Sequence, residues 1–184
     1  MLKILLIVII LCEIIGLATR SFGRLIKTFI YYTQLSNLAA LLSAVLLLCL
    51  GPLPFVTAFR YLAVCMLIMT MLVTIFVLVP TIKDTQLLLW SRVGFLLHLL
   101  CPALNIISYL FFEPHVPASM ILLPPVLTLI YGLIMIYMNY KRKIRGPYPF
   151  FLVHDQSVRA TILWIIALLI LVASISAGVW FAGS

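Results

Sequence analysis

The stretch YYTQLSNLAALLSAVLLLCL, residues 31–50, sets Tyr31, Tyr32, Thr33, Gln34, Ser36 and Asn37 at the mouth of a long apolar run from Leu38 to Leu50. A helix that crosses hydrocarbon needs about 20 mostly apolar residues, and the run supplies most of them. Insertion does not require the polar cluster in front of it. Thr, Ser and Asn are favoured helix N-caps, so the cluster reads either as a cap or as a working site.

Working outward, the chain has 184 residues, of which 66% are hydrophobic and 9% charged, with a mean hydropathy of +1.31. That balance lies far from a water-soluble domain. Charge clusters and prolines divide the chain into six apolar spans at about 2–19, 29–51, 57–80, 88–112, 119–140 and 160–182. The expected fold is therefore all-α: a single polytopic domain over residues 1–184, built as a bundle of six transmembrane helices. The first span also has features of a signal peptide, with Lys3 ahead of an apolar core and Gly16-Leu17-Ala18 behind it. Glu13 interrupts that core and Arg20, Arg24 and Lys27 follow it, which favours a retained span.

Arg20, Arg24, Lys27, Lys83, Arg92, Lys141, Arg142, Lys143, Arg145 and Arg159 fall at one side of the spans, against Lys3 and Arg60 at the other. The positive-inside rule then places both termini outside the cytoplasm. The net charge of +8 is a topological signal and a match to anionic membrane lipids, not a sign of nucleic-acid binding. Cys12, Cys49, Cys65 and Cys101 all fall within spans, without metal-ligand or disulfide spacing, so neither a metal site nor a cofactor is expected. No internal repeat is evident, and span four is the one span with an evident helix break.

Polar side chains inside spans are costly and face the bundle interior. In span four, His98, Pro102, Asn105, Tyr109 and Glu113 recur every three or four residues and share one face. Pro102 cannot donate its amide and pushes away the carbonyl four residues back, which belongs to His98. Counted from the nearest basic residues at a rise of about 1.5 Å, His98, Thr33 and Glu13 share a layer roughly 9–10 Å from the cytoplasmic boundary. A hydroxyl, an imidazole and a carboxylate in one layer fit a nucleophile, a base and an orienting group. On that reading Thr33 attacks, His98 takes its proton and Glu13 holds the imidazole. A pairing of Glu13 with Arg20 stays open.

Asn37 sits one turn deeper than Thr33 and serves either as an oxyanion donor or as an interhelical bond. Asn105 and Tyr109 support the same face. Cys101 is a rival nucleophile three residues from His98, although buried cysteines are usually packing. His154 and Asp155, in the longest connection, could supply a second base, and Tyr148, Phe150 and Phe151 beside them read as interfacial. Arg60 and Glu113 are placed to pair at the opposite boundary in a structural role, with His115 nearby and exposed.

The order of YYTQLSNL, RYLAVCMLIMTMLVTIFVLVP, LLHLLCPALNIISYLFFEP and GPYPFFLV resembles a bacterial family of predicted six-transmembrane proteins. More distantly it is similar to the animal androgen-induced-gene and androgen-dependent TFPI-regulating proteins. That resemblance implies an intramembrane hydrolase of fatty acid esters of hydroxy fatty acids, with a threonine near the start of span two and a histidine in span four. In this chain those are Thr33 and His98. A resemblance to the YwaF-like membrane proteins implies instead an acyltransferase using a cysteine and a histidine. The expectation is a lipid esterase of a bacterial cytoplasmic membrane whose substrate enters from the bilayer. Its rival is a non-catalytic transporter or complex subunit.

Overall fold

The computed structural model describes residues 1–21 and 30–183, with side chains through residue 18 and from residue 30. Arg24 and Lys27, and the side chain of Arg20, which served as depth markers, lie outside the described residues.

Six rods account for most of the chain: α1 (Leu2–Ser21), α2 (Tyr32–Leu50), α3 (Pro54–Ile82), α4 (Arg92–Phe112), α5 (Ala118–Tyr140) and α6 (Val158–Gly183). The described residues contain no strand. Within hydrocarbon a helix satisfies its own backbone, which is why uninterrupted apolar text of this length folds this way. α2 to α6 are each long and apolar enough to cross a membrane. α1 adds a further 20-residue helix packed against α2 and α4.

Helix limits differ from the expected spans where local chemistry overrides hydropathy. α3 starts at Pro54, three residues early, because proline suits the first helical turn. α4 starts at Arg92 instead of residue 88, because Ser91 turns extended and its hydroxyl accepts the Gly94 amide as an N-cap. Residues Gln86–Trp90 form a separate wide turn ahead of it.

Two rods are interrupted, not one. α4 carries a π turn at Leu96–Leu100 just ahead of Pro102, and α3 carries one at Thr74–Leu78 just ahead of Pro80. In each, the closing amide reaches five residues back, Cys101 to Leu96 and Val79 to Thr74. Proline displaces the carbonyl four residues before it, and one extra residue in the turn takes up the slack. The break in α3 was not anticipated, because Pro80 reads as the end of a span over 57–80, whereas the helix runs on through it to Ile82.

α3 is the hub. It packs against α2, α4, α5 and α6, while α5 and α6 pack on each other. Apolar burial gives no driving force between helices in lipid, so close contact of small residues matters more. Ala40, Ser43, Ala44 and Ala63 are all fully buried along α2 and α3. The largest core joins Tyr61, Val64, Cys65 and Met69 of α3 to Val172, Ile175 and Val179 of α6.

Candidate functional site

The first turn of α2 is held from outside the helix. Tyr31, not Thr33, occupies the N-cap, and no side chain caps the helix, so the capping reading of Thr33 is set aside. The Thr33 amide donates to Tyr148 Oη at 3.2 Å, and Thr33 Oγ1 meets the same phenol at 3.3 Å. Below, Ser36 Oγ and Asn37 Nδ2 donate to the Thr33 carbonyl at 3.0 and 2.7 Å. Ser36 Oγ also meets Thr70 Oγ1 of α3 at 2.9 Å.

Thr33 and Tyr148 line a cavity of about 40 Å³ together with Tyr32, Thr70, Thr74 and Leu78, enough for one or two water-sized groups. The unwound turn of α3 thus forms part of its wall. Burial pushes the Tyr148 phenol above its ordinary pKa, and its bonds to Thr33 offset this in part. Tyr148 is a neutral hydroxyl near neutral pH, not a base. Because its folded pKa is raised, the stability it confers is complete below the unfolded value near 10 and is lost only as the pH rises further.

His98 sits at the centre of the α4 π turn, 4% exposed. Its Nδ1 lies 2.7 Å from the Leu88 carbonyl. A carbonyl only accepts, so Nδ1 carries the proton, and the lone pair of a neutral ring is then on Nε2. Two glycines permit this placement. A Cβ on Gly94 would meet the Leu88 and Leu87 carbonyls at 2.5 and 2.8 Å, and one on Gly16 of α1 would meet the Leu97 side chain. Gly94→Ala is therefore expected to force the Leu88 carbonyl away from His98. Overpacking against backbone costs about 1–3 kcal/mol, so thermal unfolding in detergent should show a loss of that size.

Asn37 joins the two halves. Its Nδ2 donates to the Thr33 carbonyl and also reaches the Leu97 carbonyl at 3.4 Å. The turns bearing Thr33 and His98 adjoin, with Thr33 bonded to Tyr148 and His98 to the Leu88 carbonyl. Gln34 is fully buried, and neither of its amide atoms is hydrogen-bonded among the described residues; Asn37 Oδ1 shares that state. Buried polar atoms are costly unless they are paired.

Glu13 does not hold the imidazole. Its Oε1 accepts from Asn105 Nδ2 at 3.4 Å and its carboxyl contacts the Cys101 thiol. Asn105 Oδ1 in turn accepts from Arg60 Nη1 at 2.8 Å, and Arg60 grips Glu113 with Nε at 2.9 Å and Nη2 at 2.6 Å. Arg60 is fully buried. The expected Arg60–Glu113 pair thus forms, shielded from solvent although Glu113 stands at the C-terminal end of α4. Cys101 is buried, and its thiol lies beside Glu13. Tyr109 packs its ring 5.9 Å from Tyr61, and its hydroxyl has no hydrogen-bond partner among the described residues.

His154 and Asp155 stand apart from this centre. His154 Nε2 donates to the Tyr140 carbonyl at 3.2 Å and Asp155 pairs with Arg145 at 3.3 Å, both exposed. Sequence reasoning missed two positioning groups: Tyr148, which had read as interfacial, and the Leu88 carbonyl, which no residue type announces. Compared with protein-family models, curated proteins and solved structures, the chain matches none.

Proposed function

We propose that the chain is an intramembrane lipid esterase, in which Thr33 is the nucleophile and His98 the base. The observation that carries this reading is the Asn37 bridge between the Thr33 and Leu97 carbonyls, which sets a buried hydroxyl and a tautomer-fixed imidazole on adjoining turns. The Leu88 carbonyl takes the orienting role first given to Glu13. Thr33 Oγ1 adds to the ester carbonyl as His98 Nε2 removes its proton. The alcohol then leaves with that proton and the acyl group stays on Thr33. Water, deprotonated by the same nitrogen, releases the fatty acid. Asn37 spends both of its N–H groups on the bridge, so Gln34, whose buried amide is not hydrogen-bonded among the described residues, is the side-chain donor to the oxyanion.

The acyl chain has a place to lie. A crevice of about 300 Å³ between α2, α3 and α5 is lined by Leu35, Leu62, Met66 and Leu127. It shares Tyr32, Thr128 and Tyr131 with the wall of the Thr33 cavity. Each buried methylene contributes about 0.8 kcal/mol, which favours long-chain esters. Met66→Trp is expected to fill the crevice and lower kcat/KM for long-chain esters at least tenfold, with short-chain esters little affected. A chain-length series of the two proteins measures this.

The test of the whole reading is incubation of detergent-purified protein with a panel of lipid esters, including fatty acid esters of hydroxy fatty acids. Released fatty acid and an acyl adduct on Thr33 are followed by mass spectrometry. No turnover of any ester, with no adduct, would sink it.

A second reading has its own observation. The buried chain of Glu13, Asn105, Arg60 and Glu113 is the kind of intramembrane charge that marks proton or ion paths. Proton flux into proteoliposomes that Glu13→Gln abolishes would favour it over the esterase.

A further inference from the structure

The connection between α5 and α6 holds a basic run, and its backbone folds that run into a cup. Asn139 at the end of α5 accepts from the Gly146 amide at 3.0 Å and donates to the Gly146 carbonyl at 2.5 Å. The Arg142 and Lys143 amides turn back to the Asn139 and Met138 carbonyls, both at 2.9 Å. The segment is thus closed on itself at both ends of the KRKIR run. The cup is open to one side and has a volume of about 460 Å³, with Ile144, Leu152 and Val153 among its lining residues.

Arg142, Lys143 and Arg145 line this cup, and Asp155 is the one carboxylate among its lining residues. Asp155 is already engaged by Arg145 at 3.3 Å, on the surface, where such a pair contributes little. Three cations gathered around one volume repel each other unless an anion sits between them. His154, stacked on Tyr140, adds a ring N–H that is spent on the Tyr140 carbonyl. Lys141, although next in sequence, does not line the cup. Its ammonium lies over the Tyr137 and Tyr140 rings at 5.9 and 5.7 Å.

We propose that this cup binds the phosphate of an anionic membrane lipid. The lipid is favoured over free phosphate by position: the cup lies directly past the end of a membrane-length helix, beside aromatic residues of the kind that mark head-group level. The same connection carries Tyr148, which holds Thr33, so an occupied cup steadies the segment that positions the candidate nucleophile. The proposal itself stands independently of the esterase reading.

Native mass spectrometry of the full chain in detergent tests it, with phosphatidylglycerol, phosphatidylcholine and inorganic phosphate as probes. Phosphatidylglycerol is expected to be retained at least tenfold over phosphatidylcholine. Arg142→Ala/Lys143→Ala is expected to cut that retention at least fivefold, while Lys141→Ala leaves it unchanged. All three positions are exposed, and thermal unfolding verifies that the variants stay folded. Equal retention of the two lipids, or an equal loss in Lys141→Ala, would reduce the effect to general surface charge and overturn the site. Displacement of the lipid by micromolar inorganic phosphate would overturn the lipid assignment.

Discussion

Arg60→Met is expected to destabilise the protein by about 3–5 kcal/mol, the cost of leaving one partner of a buried ion pair uncompensated. Arg60 is fully buried, and the Glu113 side chain is 2% exposed. The two meet through a bidentate pair of charge-assisted hydrogen bonds, at 2.9 and 2.6 Å, the strong form of this contact. With the guanidinium gone, Glu113 keeps a donor in Ser108 Oγ at 2.6 Å, while Asn105 Oδ1 loses its 2.8 Å partner. Glu113→Gln added to Arg60→Met removes the stranded charge and is expected to recover a large part of the loss. Reversible unfolding in mixed detergent micelles measures both. A loss under about 1 kcal/mol for Arg60→Met would mean that the pair is solvated and that the interior network is not a structural tie.

That network also marks how far the residues could be read before their arrangement was known. The helices were legible because hydrocarbon leaves a chain few choices, and an apolar run of about 20 residues is close to a statement of structure. The His98 turn was legible for a similar reason: Pro102 acts at a fixed offset of four residues, so the distortion had to fall on His98. Pairings between helices were a different matter. Equal depth put Glu13, Thr33 and His98 in one layer but said nothing of azimuth. Glu13 in fact meets Asn105 and Cys101, on the same helix as His98. Tyr148 could not be assigned to Thr33 either, being 115 residues away in a connection whose fold depends on the Asn139 clasp. The orienting group of His98 is a backbone carbonyl, which any residue at position 88 would supply. What did leave a trace is Gly94, since a glycine within a helix entry is costly, and here it admits the carbonyls of Leu87 and Leu88.

For the proposed esterase, Thr33→Ala is expected to abolish ester turnover, a fall of about 10³-fold or more, because the mechanism forms its acyl intermediate on Oγ1. Thr33→Ser keeps a hydroxyl as the proposed nucleophile and is expected to retain activity. His98→Ala removes the proposed base and is expected to cost about 10²–10⁴-fold in kcat. Stability separates these losses from a folding defect. The Thr33 hydroxyl makes one long bond, 3.3 Å to Tyr148, so removing it should cost no more than about 1 kcal/mol. Tyr148→Phe sharpens the assignment further. Its ring would keep the stack on Phe150, at 5.2 Å, and the edge contact with Tyr31, at 6.0 Å, while both bonds to Thr33 would go. If Tyr148 positions the nucleophile, kcat falls with KM nearly constant and the fraction of enzyme trapped as acyl-Thr33 drops in parallel. If instead Tyr148 only packs, Tyr148→Phe turns over like the parent. Turnover by Thr33→Ala at the parent rate would remove Thr33 as nucleophile, and with its loss in Cys101→Ala the chemistry would move to the thiol beside Glu13.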